Sequence, residues 1–159
     1  MTVPFPFDPA AGGATLSLVE AAIRALHPGV PEIAAPELAA RLAPGSGGAA
    51  PLILDVREAE EHAVSRIPGA ILVPPGTPVA EVLARLEAGR PVVVACSVGL
   101  RSARMARALL DAGVPASRVA NLRGGLFRWS RLGLPMEDDG GPTRAVHPYD
   151  ALWGRLLTR

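Results

Sequence analysis

Apolar residues along the chain form two kinds of pattern, short continuous runs and longer stretches with helical spacing. The continuous runs are too short for helices and are separated by turn or helix signals, which is typical of buried strands. They lie at residues 51–56, 70–74, 91–96 and, more weakly, 118–122. Strands without polar alternation, with helices between them, indicate a parallel sheet covered on both faces. The pattern therefore predicts an α/β fold.

The stretches with helical spacing lie before and between these runs, at residues 36–43, 77–89 and 102–113. A further helix is predicted at 17–29, where Ser17 and Glu20 have capping-box spacing and Pro28-Gly29 ends the pattern. We expect one apolar face of this helix to pack on the domain. That face comprises Leu18, Ala22, and Ala25 or Leu26.

Composition narrows the range of partners and compartments. An apolar share of 49% suffices for one hydrophobic core. The 16 cationic side chains are balanced by 15 anionic ones, and no run of like charge is present. Nucleic acid is therefore not an expected partner. No stretch has the 18 to 20 apolar residues of a membrane span, and the first residues lack a signal-peptide pattern. The single cysteine cannot form an internal disulfide. We therefore expect a soluble, cytoplasmic protein that does not bind membranes.

Metal and cofactor dependence are not expected either. The histidines, His27, His62 and His147, are widely separated, and one cysteine cannot complete a structural zinc site.

The one cysteine, Cys96, stands where the third apolar run ends and a loop containing Gly99 begins. In an open parallel sheet, functional sites lie beyond the carboxyl ends of the strands. Loop amides, the amino end of the following helix and Arg101 all favour a negative charge on the sulfur. A lone cysteine is more often an inert core residue, but the combination C-x-x-G-x-R-S between a strand and a helix favours an accessible, activated nucleophile.

Three motifs carry a family resemblance. They are LDVREAEEHAVSRIPGA at 54–70, CSVGLRS at 96–102 and LRGGLFRWSRLGLP at 122–135. With these motifs, the sequence resembles the rhodanese-like domains, the single-domain sulfurtransferase family. The resemblance implies a three-layer fold, with a mainly parallel five-stranded sheet between helices.

The resemblance also divides the chain into three parts. The rhodanese-like domain would span residues 36–137, after an extension at 1–35 that contains one helix. The tail at 138–159 would contain a short helix at 147–157, which either packs on the domain or binds a partner.

Transfer of a sulfane sulfur through a persulfide on Cys96 is the activity that the resemblance implies. The donor would be thiosulfate, another small anion or a persulfide, and the acceptor an external small thiol or protein thiol, because no second cysteine is present. Related phosphatases and arsenate reductases have five residues between the cysteine and the arginine, whereas this loop has four. The shorter loop makes a tighter ring of amides, which fits a single sulfur atom better than phosphate. The residues expected to bind the sulfur are Ser97, Val98, Gly99, Leu100, Arg101 and Ser102.

Several readings stay open from the sequence alone. Arg101 either attracts an anionic donor or braces the loop through a carboxylate. Asp55 and Arg57 match a family D-x-R, for which we favour a fixed ion pair over acid–base chemistry. His62 and Arg66 depart from the family pattern, which commonly has tyrosine and histidine there. The rival function is a catalytically silent rhodanese-like module that binds a partner protein.

Gly124, Gly125 and Trp129 match the family motif that precedes and enters the last helix. We assign them to turn geometry and core packing rather than to substrate contact.

Overall fold

The computed structural model describes residues 9–145, in which six helices alternate with seven strands. In chain order they are α1 (Pro9–Leu26), β1 (Glu32–Ile33), α2 (Ala35–Leu42), β2 (Leu52–Asp55), α3 (Ala59–Val64), β3 (Ile71–Leu72), α4 (Val79–Ala84), β4 (Val92–Ala95), α5 (Leu100–Asp111), β5 (Val119–Leu122), α6 (Gly125–Arg131), β6 (Met136–Asp138) and β7 (Gly141–Thr143).

The first five strands form one parallel sheet in the order β1-β5-β4-β2-β3. Each apolar run predicted as a strand contributes one of them, and the α/β class is confirmed. Every residue of β2 and β4 is buried, which explains why these segments show no polar alternation. The remaining strands, β6 and β7, form a separate antiparallel hairpin.

Two apolar layers cover the sheet because successive strand residues point to opposite faces. On one face, Leu54 and Val94 pack in a cluster with Val82 of α4 and Leu109 of α5. The cluster on the other face includes Ile53 and Val93 from the strands, with Leu38 from α2 and Trp129 from α6. The central strand β4 is therefore enclosed on both faces.

Helix α1 differs from its prediction in both its start and its orientation. It begins at Pro9, so Ser17 lies within the helix and is not its cap. Leu18 and Leu26, which we expected to pack inward, are 72% and 69% exposed. Leu16 and Ile23 are buried instead. Apolar side chains occur on both faces of the helix, and its contacts with α6 decide which face turns inward.

The other helices agree with the sequence in position more closely than in length. Helix α4 ends at Ala84, short of the predicted Gly89, and α5 begins at Leu100 rather than Ser102. Within residues 9–145 there is no helix long and apolar enough to cross a membrane. The helix predicted at 147–157 lies outside the described residues.

Candidate active site

Cys96 directly follows β4, and its sulfur accepts hydrogen bonds from the loop and from the start of α5. The amide of Gly99 lies 3.2 Å from Sγ, the amide of Ser102 3.4 Å and the Ser102 hydroxyl 3.3 Å. Gly99 has a φ of 110°, in the left-handed region that favours glycine, and this turn starts the helix at Leu100. The amides of the first helical turn lack intrahelical partners, so they are free to point at the sulfur.

The expectation of an accessible thiol is wrong for this structure, because Cys96 is only 1% exposed. Ser97 and Val98 are buried with it, while Leu100 and Arg101 keep part of their surface. Arg101 forms an ion pair beside the loop, and α1 packs against Val98 and Leu100.

The ion pair joins Arg101 to Glu61 of α3. Arg101 Nη1 donates to Glu61 Oε2 at 2.7 Å, and Nη2 donates to Oε1 at 2.9 Å. Ser97 Oγ donates to the same carboxylate at 3.0 Å, and Arg101 Nη2 lies 2.9 Å from Ser97 Oγ. The amide of Glu58 donates to Glu61 Oε2 at 2.8 Å, which ties the carboxylate to the amino end of α3. Of the two readings of Arg101, the geometry therefore favours bracing the loop.

Glu61 is the main site residue that sequence reasoning missed. It lies in the first matched motif, three residues after Glu58, so a capping-box spacing was available as a signal. Burial raises the pKa of the Glu61 carboxyl, but the hydrogen bonds from Arg101 and the Glu58 amide outweigh this effect. The pKa is held below its ordinary value, and the group is an anion at neutral pH.

Asp55 and Arg57 form the fixed ion pair that we favoured. Arg57 Nε donates to Asp55 Oδ1 at 2.9 Å, and Nη2 donates to Oδ2 at 2.7 Å and to the Ser65 carbonyl at 2.6 Å. His62 Nδ1 lies 2.8 Å from Asp55 Oδ2. Burial raises the pKa of Asp55, but the hydrogen bonds from Arg57 and His62 bring it below its ordinary value. This network supports the end of β2.

Asn121 of β5 is a second residue that the sequence did not single out. Its buried side chain links both residues that contact the sulfur: Nδ2 donates to the Gly99 carbonyl at 3.0 Å, and Oδ1 accepts from the Ser102 hydroxyl at 2.5 Å. Because a hydroxyl carries one proton, Ser102 can donate either to Asn121 or to Cys96. The neighbouring strand thus controls the geometry around the sulfur.

The double glycine lets α6 approach the cysteine backbone. The amide of Leu126 donates to the Cys96 carbonyl at 2.8 Å, and that of Phe127 donates to the Ser97 carbonyl at 3.0 Å. Gly125 has a φ of 56°, and a Cβ there would collide with both carbonyls. The assignment of Gly125 to backbone geometry is therefore confirmed.

A shallow groove of about 270 Å³ runs beside the loop, between α5 and the segment after β3. Apolar side chains form most of its walls, and Arg101 and Arg104 supply its charge. The apolar walls include Val56, Pro74, Pro75 and Met105. No group of three or more acidic, histidine or cysteine side chains in residues 9–145 is arranged to hold a metal ion.

These features define a class of protein: an α/β domain with one cysteine at the end of its central strand, cradled by loop amides and a helix amino end. The chain belongs to the rhodanese-like domain family, whose model matches residues 35–132.

Named relatives lie within the same family. A "Sulfurtransferase" of Allochromatium vinosum is 36% identical over 86 residues, which are 54% of this chain and 77% of the relative. The "Thiosulfate sulfurtransferase GlpE" of Actinobacillus succinogenes is 35% identical over 86 residues, which are 54% of this chain and 75% of the relative. The solution structure of a rhodanese-like domain from Anabaena is 30% identical with a TM-score of 0.60, covering 68% of this chain and 79% of that one.

Proposed function

We propose that this protein is a sulfurtransferase that carries a sulfane sulfur as a persulfide on Cys96. The observation that carries the proposal is the convergence of the Gly99 and Ser102 amides on one sulfur atom, with the Ser102 hydroxyl 3.3 Å from the same atom. Such donors stabilise a thiolate, which is the nucleophilic form of cysteine. The names of the two sulfurtransferase relatives support the same activity.

The proposed cycle has two displacement steps. In the first step, the Cys96 thiolate attacks the sulfane sulfur of the donor, forming an S–S bond as the donor's own bond to that sulfur breaks. The leaving group takes the electron pair, as sulfite from thiosulfate or as a thiolate from an organic persulfide. In the second step, an acceptor thiolate or cyanide attacks the outer sulfur, and Cys96 departs as a thiolate. In each step, the negative charge of the attacking nucleophile passes to the group that leaves.

Each residue of the loop has a role in this cycle. Gly99 and Ser102 hold the charge on the sulfur, in the way that oxyanion-hole donors hold oxygen. Ser97 and Arg101 fix the loop through Glu61. Val98 and Leu100 seat the loop against α1. Catalysis therefore belongs to Cys96, and most of the other loop residues keep its donors in place.

The site favours an organic persulfide over thiosulfate as donor. The Glu61 carboxylate neutralises Arg101, the cation of the loop, at 2.7 Å, so Arg104 is the groove cation that remains to attract an anionic donor. The adjoining groove is mainly apolar and suits the carbon skeleton of an organic donor. We further propose that the sulfurtransferase unit is residues 36–137, flanked by extensions at 1–35 and 138–159. It would act in the cytoplasm, where small thiols are kept reduced.

Steady-state turnover with two donors tests the proposal. Thiosulfate and a small organic persulfide are each supplied with cyanide as acceptor, and thiocyanate is measured for the wild type and for Cys96→Ser. We expect turnover with at least one donor, faster with the persulfide, and background rates for the variant. Failure with both donors, in a protein whose circular dichroism shows an intact fold, would favour the silent interaction module.

A further inference from the structure

The three arginines of α5 differ in what holds their guanidinium groups. Arg101 pairs with the Glu61 carboxylate at 2.7 Å. Arg107 lies 3.7 Å from a carboxylate oxygen of Asp111. Arg104, between them, is exposed, and its side chain forms no hydrogen bond or ion pair with any of residues 9–145. Arg104 is therefore the arginine of this helix whose charge is available to a ligand.

Arg104 lines the groove of about 270 Å³ beside the Cys96 loop. The residues that α5 contributes to this groove have helical spacing and so share one face of the helix. They are Arg101, Arg104, Met105 and Ala108. The other lining residues include Val56 and Val73, which also pack in the apolar cluster that contains Cys96. The groove therefore has an apolar part that borders the cysteine and a cation on its helical side.

The cation and the sulfur lie on different sides of α5. The Ser102 amide donates to Cys96 Sγ at 3.4 Å, and Ser102 is buried. Arg104 follows two positions later and is exposed. Residues two apart in a helix point in nearly opposite directions, so a ligand that meets both Arg104 and Cys96 must have its charge and its sulfur well separated. An anion several bonds from the sulfur fits this arrangement better than the sulfonate of thiosulfate, which is bonded directly to the sulfane sulfur.

We propose that Arg104 is a specificity-determining residue that binds a carboxylate on the carbon skeleton of a small organic persulfide donor. This inference rests on the proposed function for the sulfur transfer, although binding of the carboxylate requires no transfer. A guanidinium presents paired N–H donors that match the two oxygens of a carboxylate. The apolar lining of the groove accommodates the carbon atoms between the carboxylate and the sulfur. The site thus selects anionic organic donors over neutral ones of the same size.

Two donors that differ in one charge test this selection. The persulfides of N-acetylcysteine and of N-acetylcysteine amide are nearly equal in size, and only the first has a carboxylate. Each is supplied with cyanide to the full-length protein, and thiocyanate formation is measured against donor concentration after subtraction of the rate without protein. The wild type should have a KM about threefold to tenfold lower for the acid. The two kcat values should be similar, because a contact remote from the reacting sulfur is equally strong in the ground and transition states.

Matched arginine variants assign the selection to one position. Arg104→Gln should raise the KM for the acid to that for the amide and leave the KM for the amide unchanged. Arg104→Lys should keep part of the preference, because it keeps the charge but not the paired donors. Arg107→Gln makes the same change of charge one turn further along α5, at a residue outside the groove lining, and should keep the wild-type preference. Arg104 is exposed, so its variants should fold normally.

Binding of the thiol that remains after transfer separates this inference from the proposed function. N-acetylcysteine and its amide are titrated into the wild type and the variants without any sulfur donor, and the protein amide signals are followed by NMR. The wild type should bind the acid more tightly than the amide, and Arg104→Gln should bind both equally.

The proposal is overturned if the wild type binds the acid no more tightly than the amide, or if Arg104→Gln and Arg107→Gln lose the preference alike. The second result would assign the preference to overall charge. A protein that prefers the acid but transfers no sulfur would keep the inference about Arg104 and reject the enzyme. Sulfur transfer without a preference for the acid would keep the enzyme and reject the inference.

Discussion

Asp55 and Glu61 are both buried carboxylates that pair with an arginine, yet they stabilise different parts of the molecule. Asp55 bonds to Arg57 and to His62 of α3, and both partners lie within seven positions of it in the chain. Glu61 reaches across to Arg101, forty positions away, and to Ser97. The first network holds a strand end, and the second holds the loop around Cys96. Identical ion-pair chemistry thus serves the fold at one position and the site at the other.

Asp55→Asn should give the largest loss of stability. The substitution keeps the side-chain shape but leaves Arg57 as a buried cation without a counterion, which costs about 3–5 kcal/mol. Urea denaturation would measure the free energy of unfolding. The protein that stays folded should still load sulfur on Cys96 at close to the wild-type rate. A loss of loading as large as that of the Glu61 variant would remove the distinction between the two networks.

Glu61→Gln should cost less stability and more activity. Arg101 keeps 21% of its side chain exposed, so water compensates part of its lost charge, and we expect a loss of about 1.5–3 kcal/mol. Without the Glu61 carboxylate, the loop holds the Cys96 sulfur less accurately. Loading of sulfur on Cys96 should therefore slow about tenfold to a hundredfold. The rate of persulfide formation in rapid-mixing experiments measures this effect. Wild-type loading in this variant would show that Glu61 serves only the fold.

Acid should weaken both networks. Each carboxyl has a pKa below its ordinary value, 3.8 for Asp55 and 4.5 for Glu61, so the unfolded chain binds protons at a higher pH than the folded chain does. The stability from each pair is present above those ordinary values and is lost as pH falls through the lower folded-state values. The slope is roughly 1.4 kcal/mol per pH unit for each proton.

Denaturation curves between neutral pH and pH 3 would follow this loss. Asp55→Asn and Glu61→Gln should each flatten the dependence of the free energy of unfolding on pH, because each removes one carboxyl group that takes up a proton on unfolding. An unchanged slope in both variants would assign the acid sensitivity to other groups.

His62→Ala should give the smallest effect. It removes one hydrogen bond to Asp55 at a partly exposed position, where water can replace the imidazole, so we expect a loss of about 1 kcal/mol. Sulfur loading should be unchanged, because the contact shown for His62 is with Asp55 rather than with the loop. A slower loading rate, measured as for the Glu61 variant, would place His62 in the site.

Much of the fold could be predicted because its signals are local. Buried strands appear as continuous apolar runs, and the strand-to-helix loop at Cys96 appears as a break in that pattern beside a glycine. Strand β1 has only two residues, too few for a periodic pattern, and the five-stranded sheet came from the family resemblance.

The rest of the site depends on contacts between residues far apart in the chain. Glu61 and Asn121 matter because they meet Arg101 and Gly99, from which they are separated by 40 and 22 positions. The orientation of α1 was predicted wrongly because both of its faces carry apolar residues. The expectation of an accessible thiol failed because Cys96 packs in a cluster with residues far from it in the chain, such as Val73 and Leu109.

Intact mass spectrometry after exposure to a sulfur donor tests the central claim most directly. The protein is incubated with thiosulfate or a small organic persulfide, freed of excess donor, and weighed before and after addition of cyanide or a dithiol. A persulfide on Cys96 adds about 32 Da, the mass of one sulfur atom, and the acceptor should remove it. Cys96→Ser should gain no mass. A folded wild type that gains no mass from either donor, or a gain that persists in Cys96→Ser, would contradict the account.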